Sequence, residues 1–257
     1  MSIQGKTLCV LTPMYGNMAT RNFIQSFIQL SAQCIKYGIA LNFVFVGNES
    51  LIQRGRNRLV DAFLKSTKAT HAIFIDADIG FDANDVLAML EQDHDILGAA
   101  CVKKSINWNR VQSVVKKNGR EYSGEELARI AGDYVVNFET IGALNFNTSQ
   151  PVEVKHLGTG LLMISRKTFL EYKKQYPDRW YEPKGDPAAL PGPIWDFFQV
   201  RVDPDTREMN SEDYCFCEDC KAIGFKIWLC PWVHTTHDGS HTFVGDMNAV
   251  GQLAGTL

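Results

Sequence analysis

His71-Ala72-Ile73-Phe74-Ile75-Asp76-Ala77-Asp78-Ile79-Gly80 decides the fold: an apolar run stops abruptly at two carboxylates with one alanine between them. Ala72 to Ile75 read as a strand buried on both faces, the kind found in a parallel sheet with helices on either side. Open sheets of that kind bind ligands at the carboxyl ends of their strands, which is where Asp76 and Asp78 fall. If the extended geometry continues through Asp78, the two carboxylates point to one face and Ala77 to the other. Like charges in one small space stay ionised comfortably only with a cation between them. A hard divalent ion, magnesium or manganese, suits carboxylate and water oxygens and bridges them to a substrate's phosphates. A solvated turn with two surface aspartates is the plainer alternative for any Asp-x-Asp.

Outward from that run, the spacing predicts alternation on the N-terminal side. Leu8 to Leu11 is a buried strand stopped by Thr12-Pro13, and Thr20 to Lys36 carries Phe23, Phe27, Leu30 and Cys34 at helical spacing. Ile39 to Val46 is a strand, and Leu51 to Lys65 a helix with Leu59, Val60, Phe63 and Leu64 as its stripe. This is β-α-β-α-β, expected of a parallel sheet with right-handed crossovers. Downstream, Asp82 caps a helix to about Gln92 and Asp95 to Ala100 is another strand. Beyond Cys101 the alternation weakens: Val111 to Val115, Tyr134 to Phe138 and Val152 to Lys155 read as strands, and Ser123-Gly124-Glu125-Glu126 has capping-box spacing. Gly158-Thr159-Gly160 precedes the apolar run Leu161 to Ile164, followed by a helix from Arg166 to Gln175. Pro177 to Pro204, rich in proline and aromatics, reads as a substrate-facing loop. A helix from Ser211 to Ile223, a strand from Lys226 to Leu229 and a histidine-rich tail complete the order.

The 257 residues fit a single α/β domain, with about 1–105 and 106–257 as its halves. A hydrophobic content of 45% and a formal net charge of −3 give no global attraction to nucleic acid or anionic membrane. No apolar stretch approaches the roughly 20 residues needed to span a bilayer, and no secretory signal is recognisable at Met1 to Lys6. Seven cysteines, an odd number without a disulfide framework, fit reduced thiols and a cytoplasmic location. Cys215, Cys217, Cys220 and Cys230 invite a zinc reading, but on a helix Cys215 lies nearly opposite Cys217, so small buried hydrophobes are the better account.

Four pieces in order carry a family likeness: a first strand ending in Thr12-Pro13, Arg56-Asn57 ahead of Asp76-Ala77-Asp78, Glu212-Asp213 opening a late helix, and His237 near the end. The chain resembles the GT-A glycosyltransferases, in particular the family 2-like enzymes of phages, large viruses and bacteria, from about Thr7 to Asp246. The resemblance implies a GT-A fold, with a Rossmann-like, mostly parallel sheet in the nucleotide-sugar-binding half and a mixed sheet in the acceptor half. It also implies a hexosyl- or pentosyltransferase that moves a sugar from a nucleoside-diphosphate sugar, most often a UDP-sugar, to an acceptor hydroxyl with Mn2+ or Mg2+. A divalent ion there offsets the charge that develops on the leaving diphosphate.

Carried over residue by residue, the resemblance places Thr12, Pro13 and Tyr15 against the nucleobase and ribose, and Asn48 and Glu49 at the base. Arg54, Arg56 and Asn57 would lie beside the nucleotide, with arginine as a planar phosphate partner. Asp76 would approach the ribose and the ion, Asp78 would ligate the ion, and Lys103 or Lys104 would neutralise the diphosphate. His237 would complete the ion's coordination, with His234 and His241 as alternatives. Glu212 and Asp213 suit a helix's first turn in any case, and Asp213 would be the general base in an inverting enzyme. Trp195 and Asp196 would shape the acceptor side, by sugar stacking or simply by core packing. Glycan, lipid, protein and modified base are all compatible acceptors. A sugar nucleotidyltransferase is a second reading, although Thr12-Pro13-Met14-Tyr15-Gly16-Asn17 lacks its Gly-rich, Arg-containing loop. A nucleotide- or glycan-binding module without turnover is the third.

Overall fold

His71 to Ile75 form a strand in which every residue is buried, and the reason is visible on both of its faces. Ala72 and Phe74 belong to one core cluster, while Ile73 and Ile75 belong to another on the opposite face of the sheet. The computed structural model describes residues 3, 5–138, 147–185 and 189–241. Residues 186–188 of the aromatic loop, and the end of the family likeness beyond 241, lie outside them.

The first half runs β1 (Leu8–Met14), a helical turn at Tyr15–Asn17, α1 (Arg21–Tyr37), β2 (Leu41–Gly47), α2 (Ile52–Ser66), β3 (His71–Ile75), β4 (Ile79–Phe81), α3 (Ala83–Glu91) and β5 (Ile96–Gly98). The second half runs α4 (Trp108–Asn118), α5 (Gly124–Ile130), β6 (Val136–Asn137), β7 (Val152–Val154), β8 (His156–Leu157), β9 (Leu161–Ser165) and α6 (Arg166–Gln175). Short strands β10 (Trp180–Tyr181), β11 (Ile194–Trp195), β12 (Arg201–Val202) and β13 (Met209–Asn210) follow, then α7 (Glu212–Ala222), β14 (Ile227–Leu229) and β15 (Thr235–His237).

Seven strands make one sheet in the order β2-β1-β3-β9-β5-β14-β7. Only β9 and β7 run against the rest, so the sheet is mostly parallel in strand direction. The second half adds its strands to this same sheet in mixed directions, β14 parallel to β5 and β9 and β7 antiparallel to their neighbours. It inserts β9 between β3 and β5 of the first, and the antiparallel pairing Ile75↔Leu161 sets the strand end at the carboxylates against the residues that precede β9. Helices α1 and α3 pack on one face through Phe23, Leu30, Val86 and Leu90. Helices α2, α6 and α7 pack on the other through Phe63, Phe169, Tyr172 and Phe216, together with Phe197 and Phe198 from the aromatic loop. Cys217 and Cys220 are wholly buried in that layer, and burial pushes the Cys217 thiol up to about 12, so it behaves as a small hydrophobe.

Two expectations differ from the structure. β1 does not stop at Thr12-Pro13 but pairs with β2 as far as Met14↔Gly47. Its pairing with β3 ends at Leu11↔Phe74, which leaves room beyond it for a residue without an N–H. Val111 to Val115 is not a strand but the middle of α4. Asn107 caps that helix by accepting from the Arg110 amide, and Val111, Val114 and Val115 sit at helical spacing. The β-branched residues misled the strand expectation, because capping outweighs a propensity difference of a few tenths of a kcal/mol. The capping box at Ser123 and Glu126 is present as read.

Candidate functional site

Asp76, Ala77 and Asp78 form a turn beyond β3, closed by the Ile79 amide donating to Asp76 O at 3.0 Å. The extended geometry therefore does not persist, and the two carboxylates take different partners, Asp76 with Arg56 and Asp78 with Lys104. The turn is held by its neighbours instead. The Asp76 amide donates to Gly160 O (3.0 Å), Thr20 N donates to Ala77 O (2.9 Å), and Asp238 N donates to Asp78 O (2.9 Å). Backbone from β9's approach, α1's start and the end of the described chain thus fixes one three-residue turn. Pinning of this kind pre-organises a site before any ligand arrives.

Both carboxylates line a cleft of about 700 Å³, together with Pro13, Tyr15, Lys104 and Asp238. That volume lies within the range of small-molecule sites. β15 pairs antiparallel with β4, matching His237 to Ile79, which is what carries the late histidine to the turn. His237 Nε2 lies 3.5 Å from Asp78 Oδ2, while its Nδ1 lies 2.7 Å from Val102 O. A carbonyl can only accept, so Nδ1 carries a proton, and Nε2 is the ring nitrogen turned towards Asp78. Lys104 Nζ also meets Asp78 Oδ2. His234 is placed elsewhere, its amide donating to Asp85 Oδ2 at 3.4 Å.

Asp238 was not singled out from the sequence. Its Oδ1 accepts from Asn22 Nδ2 at 2.8 Å, whereas Oδ2 is buried with no hydrogen-bond partner. An orphaned carboxylate oxygen in the cleft is a costly feature that a cation would relieve. Among the described residues no three His, Cys, Asp or Glu side chains have already converged as a metal cage. Asp78 and Asp238 nevertheless offer carboxylate oxygens and His237 a ring nitrogen, donor types that suit magnesium or manganese, which keep open positions for phosphate and water. The signal for Asp238 was its place directly after His237.

Several expected donor-side residues are engaged with protein. Arg56 is 4% exposed; its Nη1 and Nη2 donate to Asp76 Oδ1 (3.1 Å) and Oδ2 (3.4 Å), and its Nε to Glu212 Oε1 (3.2 Å). Burial works against its charge, but the carboxylates of Asp76 and Glu212 more than offset that and hold it protonated. Arg56 is thus a buried tie from Asp76 to α7 rather than a phosphate hand. Asn57 is engaged with protein as well, donating to Asp196 Oδ1 (2.7 Å) and accepting from the Phe198 amide (3.0 Å). Asp196 also accepts from Gln199, and Lys173 Nζ sits 3.7 Å over the Trp195 ring, so the pair expected on the acceptor side braces the aromatic loop against α2 and α6. Glu49 accepts two bonds from Arg54 (2.6 and 2.7 Å), and these, above all, hold its carboxyl below the usual range. It lines both the main cleft and a neighbouring cavity of about 350 Å³. Thr12 is fully buried with an unpartnered Oγ1, and Asn48 is exposed with φ 56°. Lys104, not Lys103, lines the cleft.

Gly158-Thr159-Gly160 joins the two ends of the site. A Cβ on Gly160 would sit 3.8 Å from Asp76 Oδ2 and 2.9 Å from Cys101 Sγ, and one on Gly158 would sit 3.4 Å from Asp213 Oδ2. Chain reach limits the Cα atoms of these glycines to about 7 Å apart, so the turn carboxylate and the late aspartate stand on either side of one short loop. Gly160→Ala is expected to lower unfolding free energy by about 1–3 kcal/mol, because the new methyl meets the buried Cys101 sulfur. Urea unfolding checks this, and an unchanged midpoint would show that the loop yields. Asp213 accepts from Ser211 Oγ and, through Oδ1, from the Tyr214 amide at 2.9 Å.

No protein-family profile matches the chain, and no curated protein matches it. The chain is similar to several solved structures, each at a TM-score below 0.5. The crystal structure of A197 from STIV is 16% identical over 91% of this chain and 86% of that one, with a TM-score of 0.49. GalNAc-T7, solved with UDP, GalNAc and Mn2+, is 10% identical over 90% of this chain but 44% of its own, with a TM-score of 0.46. A glycosyltransferase involved in glycosylation of the major capsid of PBCV-1 is 8% identical over 71% of this chain and 72% of that one, with a TM-score of 0.34. Among the described residues no helix is long and apolar enough to cross a membrane.

Proposed function

We propose that the chain is a metal-dependent glycosyltransferase that uses a nucleoside-diphosphate sugar, a UDP-sugar first, and an acceptor hydroxyl. The observation that carries this reading is a cleft lined by Asp76, Asp78, Lys104 and Asp238, with an orphaned Asp238 oxygen and with His237 Nε2 3.5 Å from Asp78 Oδ2 beside it. Asp78, Asp238 and His237 would hold manganese or magnesium. Such an ion, when bound, offsets negative charge on the phosphate oxygens as the glycosidic bond breaks.

The remaining work falls to the chain's own groups. Lys104, already beside Asp78, supplies a second positive charge to the diphosphate. Pro13 and Tyr15 wall the cleft, and Tyr15, 77% exposed, offers a flat face to a base. Asp76 stays fixed by Arg56, so it orients rather than transfers a proton. Asp213, across the Gly158–Gly160 loop, is the candidate base in an inverting reaction. The acceptor oxygen bonds to the anomeric carbon, its proton goes to Asp213, and the nucleoside diphosphate departs with the bond pair.

Titration calorimetry with UDP, with and without Mn2+, tests the reading. The expected result is UDP binding at least tenfold tighter with the ion, equal to about 1.4 kcal/mol. Failure of UDP, GDP, CDP and ADP all to bind in the presence of Mn2+ would overturn it.

A further inference from the structure

A separate cavity, about 400 Å³, opens at the other side of α7's first turn and is bordered by β8, β13 and the residues between β12 and β13. His156 forms its buried wall. The residue is 3% exposed and its ring stacks on Tyr214 with centroids 4.5 Å apart and planes 18° apart. Burial, chiefly, keeps its imidazole neutral by pulling its pKa below the usual histidine value. Nδ1 lies 3.3 Å from the Asn137 amide nitrogen, which donates, so Nδ1 accepts and the ring proton is on Nε2. Nε2 is buried and has no hydrogen-bond partner; Glu218 Oε1 approaches to 3.3 Å without completing a bond. A buried N–H donor left open beside a carboxylate is an expensive arrangement unless something else satisfies both.

We propose that this cavity is a subsite for a neutral, hydroxyl-rich ligand, the carbohydrate portion of an acceptor. The inference rests on the glycosyltransferase reading for its role, though not for its chemistry. A hydroxyl both donates and accepts, which answers the unpartnered His156 N–H and the Glu218 carboxylate together. Lys155 adds a further donor, Asn210 keeps its side-chain oxygen as an acceptor while its Nδ2 donates to Glu218 Oε1 at 3.5 Å, and the Tyr214 ring supplies a flat apolar surface. Three carboxylates, Asp203, Glu208 and Glu218, face one lysine there, which disfavours phosphorylated or otherwise anionic ligands. Asp203 is held ionised by the Thr206 and Asp205 amides, so that bias persists at neutral pH. Position supplies the link to transfer: Ser211 lines the cavity and donates to Asp213, and Tyr214 is the next residue along. A saccharide seated on Tyr214 and His156 would sit one helical step from the candidate base.

Saturation-transfer NMR on the full chain tests the subsite with methyl glucoside, methyl galactoside, N-acetylglucosamine, maltose and cellobiose, and with glucose 6-phosphate and spermidine as charge controls. The expected result is binding of at least one neutral saccharide, weakened roughly tenfold in His156→Gln and in Glu218→Gln, each of which removes one side of the hydrogen-bonding pair. Glu218→Gln decides alone should His156→Gln not fold. No saccharide bound by the unaltered chain, binding unchanged in Glu218→Gln, or preference for either charge control would overturn the inference. UDP titration with Mn2+ on the same samples separates the two proposals. UDP binding without saccharide binding removes the subsite and leaves the donor site standing. Saccharide binding lost in the variant, with no UDP binding, keeps the subsite and removes the transferase.

Discussion

Asp78→Asn is expected to lower donor hydrolysis and transfer by on the order of 10²–10³-fold, with UDP affinity in Mn2+ falling to its metal-free value. The substitution keeps the side chain's shape and removes one charge. Asp78 is the point where three positively polarised or ligating groups meet: Lys104 on Oδ2, the Nε2 of His237 at 3.5 Å, and the turn backed by the Asp238 amide. An amide there offers a weaker oxygen to a divalent ion and turns an N–H towards Lys104 or His237 in half of its orientations. Fold stability should change little, because the Asp78 side chain is one-third exposed and exposed pairs contribute at most about 1 kcal/mol. UDP release from a donor panel, measured beside thermal unfolding, checks both parts. Turnover within threefold of the unaltered chain, at unchanged Mn2+ dependence, would remove Asp78 from the metal site.

What the sequence made legible follows from range. The buried strand at His71–Ile75, α1 with its Thr20 cap and α6 after Ser165 all rest on periodicity and local capping, and each is where the spacing placed it. Local signals failed where two local tendencies competed, as at Val111 to Val115, where β-branched residues lie inside a capped helix. The carboxylate pair was found for a partly mistaken reason. Its placement at one cleft comes from a turn held by Gly160, Thr20 and Asp238, partners as distant in sequence as 160 residues, and no strand rule contains them. Arg56 and Asn57 were visible as polar residues on the helix ahead of the carboxylate pair. That their partners would be Glu212 and Asp196, not a ligand, depends on how α7 and the aromatic loop fold over α2. His156 carried no signal, since an isolated histidine in a strand is ordinary until its unpartnered nitrogen is seen in a cavity.

The same buried arginine gives the largest stability effect. Arg56→Met is expected to lower unfolding free energy by about 3–5 kcal/mol, because it leaves the Asp76 and Glu212 carboxylates without their common cation while the apolar stem is roughly conserved. Arg56 also lies over Phe74 with its guanidinium carbon 5.5 Å from the ring centroid, so methionine retains part of that contact. Arg56→Lys should recover only a fraction, since one ammonium cannot reproduce donation to Asp76 through both terminal nitrogens and to Glu212 through Nε. The discriminating variant is Arg56→Met with Glu212→Leu. If the loss comes from stranded charge, the pair should be more stable than Arg56→Met alone, a coupling of about 1–3 kcal/mol in urea unfolding. If it comes from lost packing, the second change should add to the damage. A cost below about 1 kcal/mol for Arg56→Met would sink the account of a buried tie. The tie has a functional side, because Glu212 is the residue before Asp213. Through Arg56, the end of β3 and the start of α7 are locked to each other, which sets the turn carboxylates and the candidate base in one frame. Glu212→Gln keeps the shape and weakens one arm of that lock, and its acceptor transfer should fall more than its donor hydrolysis, since only transfer needs Asp213 in register.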